Sequence, residues 1–156
     1  MEYRSSYVMA YILKYCRDHA ITANKTKVQK LLYCCYGVFL AKFDERLTDE
    51  HPKAWMYGPV LPRTFNDINK GRLTVGMANQ FEQDCEQEKL HVINKTIEVF
   101  GKYSAGALSN WSHLDGSPWS KADPLASLDD REVGIYFKPY LEAVSYTHLR
   151  AHETLR

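Results

Sequence analysis

Most of the motifs that announce a reaction are missing from this chain. It has no His-Glu-x-x-His pair and no compact Cys/His set, so the common zinc arrangements find no support. It has no Gly-x-x-x-x-Gly-Lys-[Ser/Thr] loop, which leaves phosphoryl chemistry and nucleotide binding without a cradle. It has no Gly-x-Ser-x-Gly elbow of the hydrolase kind. An excess of one charge is missing too. With 20 Lys and Arg against 19 Asp and Glu, the formal net charge is +1, which gives no electrostatic case for nucleic acid or an acidic membrane. No apolar run approaches the length that spans a bilayer. Nor is a leader expected, since Arg4 and the polar Ser5-Ser6 stand where an apolar segment would be needed.

Cysteine is scarce and poorly placed for bridging. Cys34 and Cys35 are adjacent and cannot readily pair with each other, and no Cys-x-x-Cys occurs. Cys16 and Cys35 fall on apolar helical stripes, where a free thiol behaves as a small hydrophobe. The expected setting is reducing and cytoplasmic. No cofactor is expected.

What the chain does have is enough apolar material for one core. Its 156 residues suit a single domain, and the 45% hydrophobic and 25% charged fractions are ordinary for a globular protein. Aromatics are plentiful at 13%, with 11 tyrosines, a composition that serves both cores and protein contacts.

The most shaped stretch is Ala54-Trp55-Met56-Tyr57-Gly58-Pro59-Val60-Leu61-Pro62. Pro59 fixes its own φ and drives the preceding residue out of the helical region, while Gly58 can take angles closed to other residues. The stretch therefore cannot lie in mid-helix. Trp55 and Tyr57 are two apart and share one face if the segment is extended. It reads as a buried corner locking two helices, or as a presented aromatic surface, and the two readings are compatible.

Periodicity on either side predicts helices. Ser5 or Ser6 caps a first helix with Val8, Met9, Ile12, Leu13 and Cys16 on one stripe. Thr26 and Gln29 have the form of a capping box for a second helix carrying Val28, Leu31, Leu32, Cys35, Phe39 and Leu40. This helix has almost no charge after Leu31 and should be central. The lysines at its start, Lys25, Lys27 and Lys30, read as a solvated helix end, or as the edge of a recognition helix in a small DNA-binding regulator.

A polar connector, Phe43 to Lys53, leads into the corner, with Val60-Leu61 as the return arm of a short hairpin. Arg63 to Asn69 forms a short helix with Phe65 and Ile68 inward, and Gly71 stops it. Leu73 to Phe81 is ambiguous because Gly76 breaks any regular pattern. A longer helix beyond Gln83 carries Leu90, Ile93, Ile97 and Phe100. Ser104 caps a short helix with Leu108 and Trp111. Ser127, with Asp129 and Asp130 behind it, starts a last helix whose inner face is Val133, Tyr136, Phe137 and Tyr140, interrupted or ended at Pro139. The fold class expected is mainly α, a single helical domain with a short β-hairpin or extended corner around the Trp-x-Tyr-Gly-Pro turn.

Ser109, Ser112, His113 and Asp115 are the residues that a hydrolase reading would use. They crowd one short segment, which is not how nucleophile, base and orienting acid usually assemble. His113 is expected to bond backbone or cap the turn into Pro118-Trp119. It is also a candidate for fixing the two Gly/Pro-Trp segments against each other.

Three segments together resemble one family. Lys27-Val28-Gln29-Lys30-Leu31-Leu32-Tyr33 is similar to its Lys-Leu-Gln-Lys-Leu-Leu-Tyr helix. Ala54-Trp55-Met56-Tyr57-Gly58-Pro59-Val60 is similar to its Ala-Trp-x-Tyr-Gly-Pro-Val turn. Leu108, Ser112-His113 and Pro118-Trp119 are similar to its third segment. The order and spacing fit the SocA-like Panacea domain, formerly the phage-associated GepA type, over about residues 1–143. The resemblance implies a mainly helical, non-enzymatic antitoxin that neutralises a protein toxin from an adjacent gene by direct contact. It also implies, as an alternative, an adaptor that delivers the toxin to a cytoplasmic protease. The motif residues Lys27, Gln29, Lys30, Tyr33, Trp55, Tyr57, Gly58, Pro59, Ser112, His113, Pro118 and Trp119 are the candidate partner-binding set, with Trp55, Tyr57, Trp119 and Tyr33 as anchors. Because the chain opens on the domain's first helix, no separate DNA-binding module is expected. Residues 144–156 look like translated adapter or vector sequence, and the His148/His152 spacing is set aside as accidental.

Overall fold

In the computed structural model, which describes residues 2–145, one helix is the hub. This is α2 (Lys25–Phe43), whose residues are buried without a break from Lys27 to Phe39. Around it stand α1 (Ser5–Asp18), α5 (Gln87–Phe100), α6 (Ala105–Ser112) and α8 (Asp130–Phe137), and all four pack on it. The expected central helix is therefore present, and the mainly helical fold with a small hairpin is as the sequence predicts. An all-round apolar surface suits a helix enclosed on every side.

Gly37 lets the hub be approached closely. A Cβ placed there would lie 2.0 Å from the Phe137 ring. Phe137 is fully buried and also meets the rings of Tyr33, Phe100 and Trp111. The seam between α2 and α8 thus needs a residue without a side chain.

The helix starts differ from the sequence reading in an informative way. Asn24, not Thr26, caps α2, and its side chain accepts the Lys27 N–H at 2.8 Å. Neither Ser5 nor Ser6 caps α1 from its own side chain. The carboxylates of Asp49 and Glu50 do the work from a distance: the Ser5 N–H donates to Asp49 Oδ1 at 3.0 Å, and Ser5 Oγ donates to Glu50 Oε1 at 2.8 Å. Glu50 also accepts the N–H groups of Arg63 and Thr64 at the start of α3 (Pro62–Asn69). One acidic pair in the polar connector therefore serves two helix N-termini, where negative charge is favoured. At the other end of the chain Asp129, not Ser127, caps α8.

The ambiguous stretch beyond Leu73 is a helix, α4 (Val75–Asp84), capped by Thr74 on Met77 N at 3.2 Å. Gly76 lies in its first turn, where a glycine is tolerated. The helix packs along α1, and Phe81 meets the rings of Tyr3 and Tyr11. Ser104 caps α6 as expected. A four-residue helix, α7 (Pro118–Lys121), follows its own cap at Ser117, and a 3-10 turn at Lys138–Tyr140 carries Pro139.

The corner is a hairpin of β1 (Lys53–Trp55) and β2 (Gly58–Val60), antiparallel, with Ala54 opposite Pro59. Its turn is Met56-Tyr57, two residues earlier than the Gly-Pro pair suggested. Trp55 and Tyr57 therefore do not share an extended face. Gly58 sits at φ +123, where a side chain is disfavoured, and so allows the return strand to begin immediately. Residues 125–128 pair along the free side of β1: Ala54 N donates to Ala126 O and Leu125 N to Ala54 O, each at 2.8 Å.

All four cysteines are free and buried. Among the described residues no helix is long and apolar enough to cross a membrane. Val144 is only 3% exposed and packs with the core. Of the proposed foreign tail at 144–156, the part from 146 onward, with His148 and His152, lies outside the described residues.

Candidate functional site

The three motif segments, separated in sequence, meet at the hairpin. Lys30 reaches from α2 and donates its Nζ proton to Pro59 O at 2.9 Å. Ser109 Oγ, on α6, donates to Tyr57 O at 2.9 Å, and Ser112 Oγ donates to Ser109 O at 2.8 Å. Trp119 Nε1, on α7, donates to Trp55 O at 2.6 Å. Helix α2, α6 and α7 therefore each supply one bond to a hairpin carbonyl. Gly58 lies at the junction: a Cβ there would stand 2.9 Å from both Lys30 Nζ and Ser112 Oγ.

The lysines correct the reading of a solvated helix start. Lys25 is exposed, but Lys27 and Lys30 are buried. Lys27 Nζ donates to Gly101 O at 2.7 Å, at the C-terminal end of α5, where a helix favours positive charge. Burial lowers the Lys30 ammonium to about 8, so it still carries its proton at neutral pH. Two of the three basic groups that a recognition helix would present are thus spent inside the protein.

Beside the junction lies a cavity of about 430 Å³. Trp55, Val60 and Phe65 give it apolar walls, and Trp55 packs edge-on to Phe65 with centroids 5.1 Å apart. Gln29 and Lys30 from α2 also line it. Gln29 is 3% exposed, and neither its Nε2 nor its Oε1 has a hydrogen-bond partner among the described residues. Leaving both ends of a buried carboxamide unpaired is costly and uncommon. At the mouth stand Met56, Tyr57 and Leu125, which are 77%, 75% and 69% exposed. Leu125 holds φ +66, a left-handed backbone that leucine rarely adopts. Its N–H bond to Ala54 O fixes it there.

Not every candidate residue belongs to this surface. Tyr33 is fully buried against Phe137 and is a core residue in this structure, not a surface anchor. Burial pushes its phenol well up. Pro118 is buried, and Trp119 is half-buried under the hairpin, so its indole ties the corner down from beneath. The His113 ring packs against Trp119 with centroids 5.2 Å apart, and its buried Nδ1 has no partner among the described residues. That ring nitrogen makes no bond to backbone, while His113 itself stands as the C-cap of α6, its own N–H donating to Asn110 O at 3.3 Å. The bond that joins the two Trp segments comes from Trp119. Ser112 Oγ is committed to Ser109 O, so no serine–histidine pair forms here. Among the described residues no group of three or more His, Cys, Asp or Glu is placed to hold a metal ion.

Met56, Phe65 and Leu125 are not among the candidate site residues of the sequence, although Phe65 reads there as facing inward. Met56 is visible only as the variable position inside the turn motif. Leu125 lies some seventy residues away, and nothing in its local sequence announces a left-handed leucine.

The sequence pattern described as "Antitoxin SocA-like, Panacea domain" matches residues 28–120, a span that holds nearly all of the junction just described. The chain belongs to the SocA-like Panacea domain family. The Panacea span takes in the buried hub from Val28, the hairpin, and the α6–α7 segment. A curated relative of this Panacea chain is Antitoxin SocA of Caulobacter vibrioides (strain NA1000 / CB15N), 27% identical over 111 residues. The alignment covers 64% of this chain and 59% of the relative, so the chain spans well under two thirds of that protein's length. No solved structure matches.

Proposed function

We propose that this protein is an antitoxin that neutralises a protein toxin by direct contact, and that the hairpin corner is the contact surface. The family supports the antitoxin role, since both the domain and the relative carry that description. The observation that carries the contact surface is the grouping of Met56, Tyr57 and Leu125 around an apolar cavity. Large apolar side chains exposed together and rimming a pocket are the usual makings of an interface centre. The backbone beneath them is pinned by three helices, so little ordering would accompany binding.

The direct test is growth rescue. The product of the adjacent gene is expressed alone and then with this chain, and complex formation is followed by co-purification. Rescue with a stable complex supports occlusion. Rescue that disappears in a protease-deficient host assigns the chain an adaptor role instead. Arrest that persists despite soluble co-expression overturns the antitoxin reading.

A further inference from the structure

We infer that the cavity at the hairpin corner receives a protein segment carrying an acidic side chain beside a large apolar one, with the carboxylate held by Lys30 and Gln29. This deepens the proposed contact surface and rests on that reading.

The floor and the walls ask for different chemistry. Trp55, Val60 and Phe65 offer an apolar slot, and about 430 Å³ is ample for one large side chain with its neighbour. The floor is polar and unfinished. Lys30 Nζ has three protons and, among the described residues, one acceptor, a neutral carbonyl. Burial keeps the neighbouring Cys34 thiol protonated and therefore neutral, and among the described residues no carboxylate is paired with Lys30. Gln29 beside it has a free donor and a free acceptor. A carboxylate entering here would accept from Lys30 Nζ and from Gln29 Nε2. Gln29 Oε1 would remain to accept an N–H from the segment's backbone. A buried ammonium without a counter-ion is the group most improved by such a partner.

The rim argues for a macromolecule over a small acid. Met56 and Tyr57 project from the hairpin turn and Leu125 from a separate loop, and each is far more exposed than one small ligand in the cavity would cover. A small molecule filling the cavity would leave these surfaces in water. A chain crossing the mouth between the turn and the 125 loop would cover them.

The test uses the full chain and a phage-displayed library of random 12-residue peptides. The expected result is enrichment of Asp or Glu within two positions of Phe, Tyr, Trp, Leu or Met. A synthetic peptide of the winning sequence should then bind at least about tenfold more weakly when its acid is changed to the amide. Lys30→Met should weaken the acidic peptide and leave the amide form nearly unchanged. Leu125→Asp keeps the test decisive if Lys30→Met does not fold, because it alters an exposed side chain. It should reduce binding about tenfold or more, while Ile135→Asp, on a different exposed surface, should not. Enrichment without an acid, equal binding of acid and amide peptides, or indifference to Leu125→Asp would each overturn the inference. A self-associating chain that becomes monomeric on Leu125→Asp would overturn it in favour of a second copy as occupant. The antitoxin reading is judged separately by growth rescue. Rescue by both Leu125→Asp and wild type would sink this site and spare that reading. Acidic peptides that bind a chain unable to rescue would do the reverse.

Discussion

Replacing Gly37 with alanine should destabilise the protein, and the sign of the effect is the informative part. In an ordinary helix interior this change stabilises by up to about 1 kcal/mol, because glycine is the poorer helix former. Here the new methyl carbon would sit 2.0 Å from a fully buried Phe137 ring, against an ordinary carbon contact of about 3.5 Å. Either the ring leaves its place among Tyr33, Phe100 and Trp111, or α8 moves off α2. Overpacking of this kind costs about 1–3 kcal/mol, and complete loss of a buried phenylalanine costs about 3–5. A net destabilisation of about 2 kcal/mol is expected once the helix-propensity gain is subtracted. Urea unfolding of four proteins settles it: wild type, Gly37→Ala, Phe137→Ala and the double variant. In the Phe137→Ala background the methyl enters vacated space, and the same change should become neutral or stabilising. A Gly37→Ala protein as stable as wild type, or an equal loss in both backgrounds, would refute the packing described for this seam.

Four further outcomes follow from the structure. Gly58→Ala should cost about 2–4 kcal/mol, because φ +123 disfavours a side chain and the new Cβ crowds the Lys30 ammonium off Pro59 O; thermal unfolding of the variant measures it. Asn24→Ala should cost about 1 kcal/mol by urea titration, whereas Thr26→Ala should cost less, since Asn24 is the residue that caps α2. Stability should fall as pH rises through about 9 to 10. The buried Cys34 and Cys35 thiols keep their protons in the folded state while the unfolded chain loses them, which removes up to about 1.4 kcal/mol per pH unit for each. Lys30 acts in the opposite direction above about 8, and a Cys34→Ala/Cys35→Ala protein should show the shallower alkaline slope in pH-dependent denaturation. Met56→Ser with Tyr57→Ser should leave the unfolding midpoint within about 0.5 kcal/mol of wild type and still abolish partner binding in a pull-down, because both side chains lie mostly in solvent.

Much of the fold was legible because its hub is written in one continuous apolar run. Val28 to Phe39 contains hardly any charge, and only a central helix can bury such a run on every side. What misled was the assumption that polar side chains stay near the surface and act locally. Thr26 and Gln29 fit a capping box, yet Asn24 caps and Gln29 turns inward to the cavity. Lys27 and Lys30 look like a wet helix end, yet each finds a carbonyl supplied from far along the chain, at Gly101 and Pro59. Long aliphatic stems make this burial possible, and sequence spacing cannot reveal the distant acceptor. The same holds for Asp49 and Glu50, which cap helices that begin elsewhere. Gly76 obscured α4 because a glycine in a first turn reads locally as a break. The corner itself announced its stiffness through Gly58 and Pro59, but residues 125–128, which bond the other edge of β1, have no local signature. Leu125 entered the rim by that route.

The central claim is that the hairpin corner neutralises a protein toxin by touching it. The most direct measurement compares growth rescue from the adjacent gene's product by wild type, by Leu125→Asp and by Ile135→Asp, with the abundance of each chain followed in the same cells. Rescue by wild type and Ile135→Asp, together with arrest under Leu125→Asp at equal abundance, is the predicted result. Full rescue by Leu125→Asp would contradict the account.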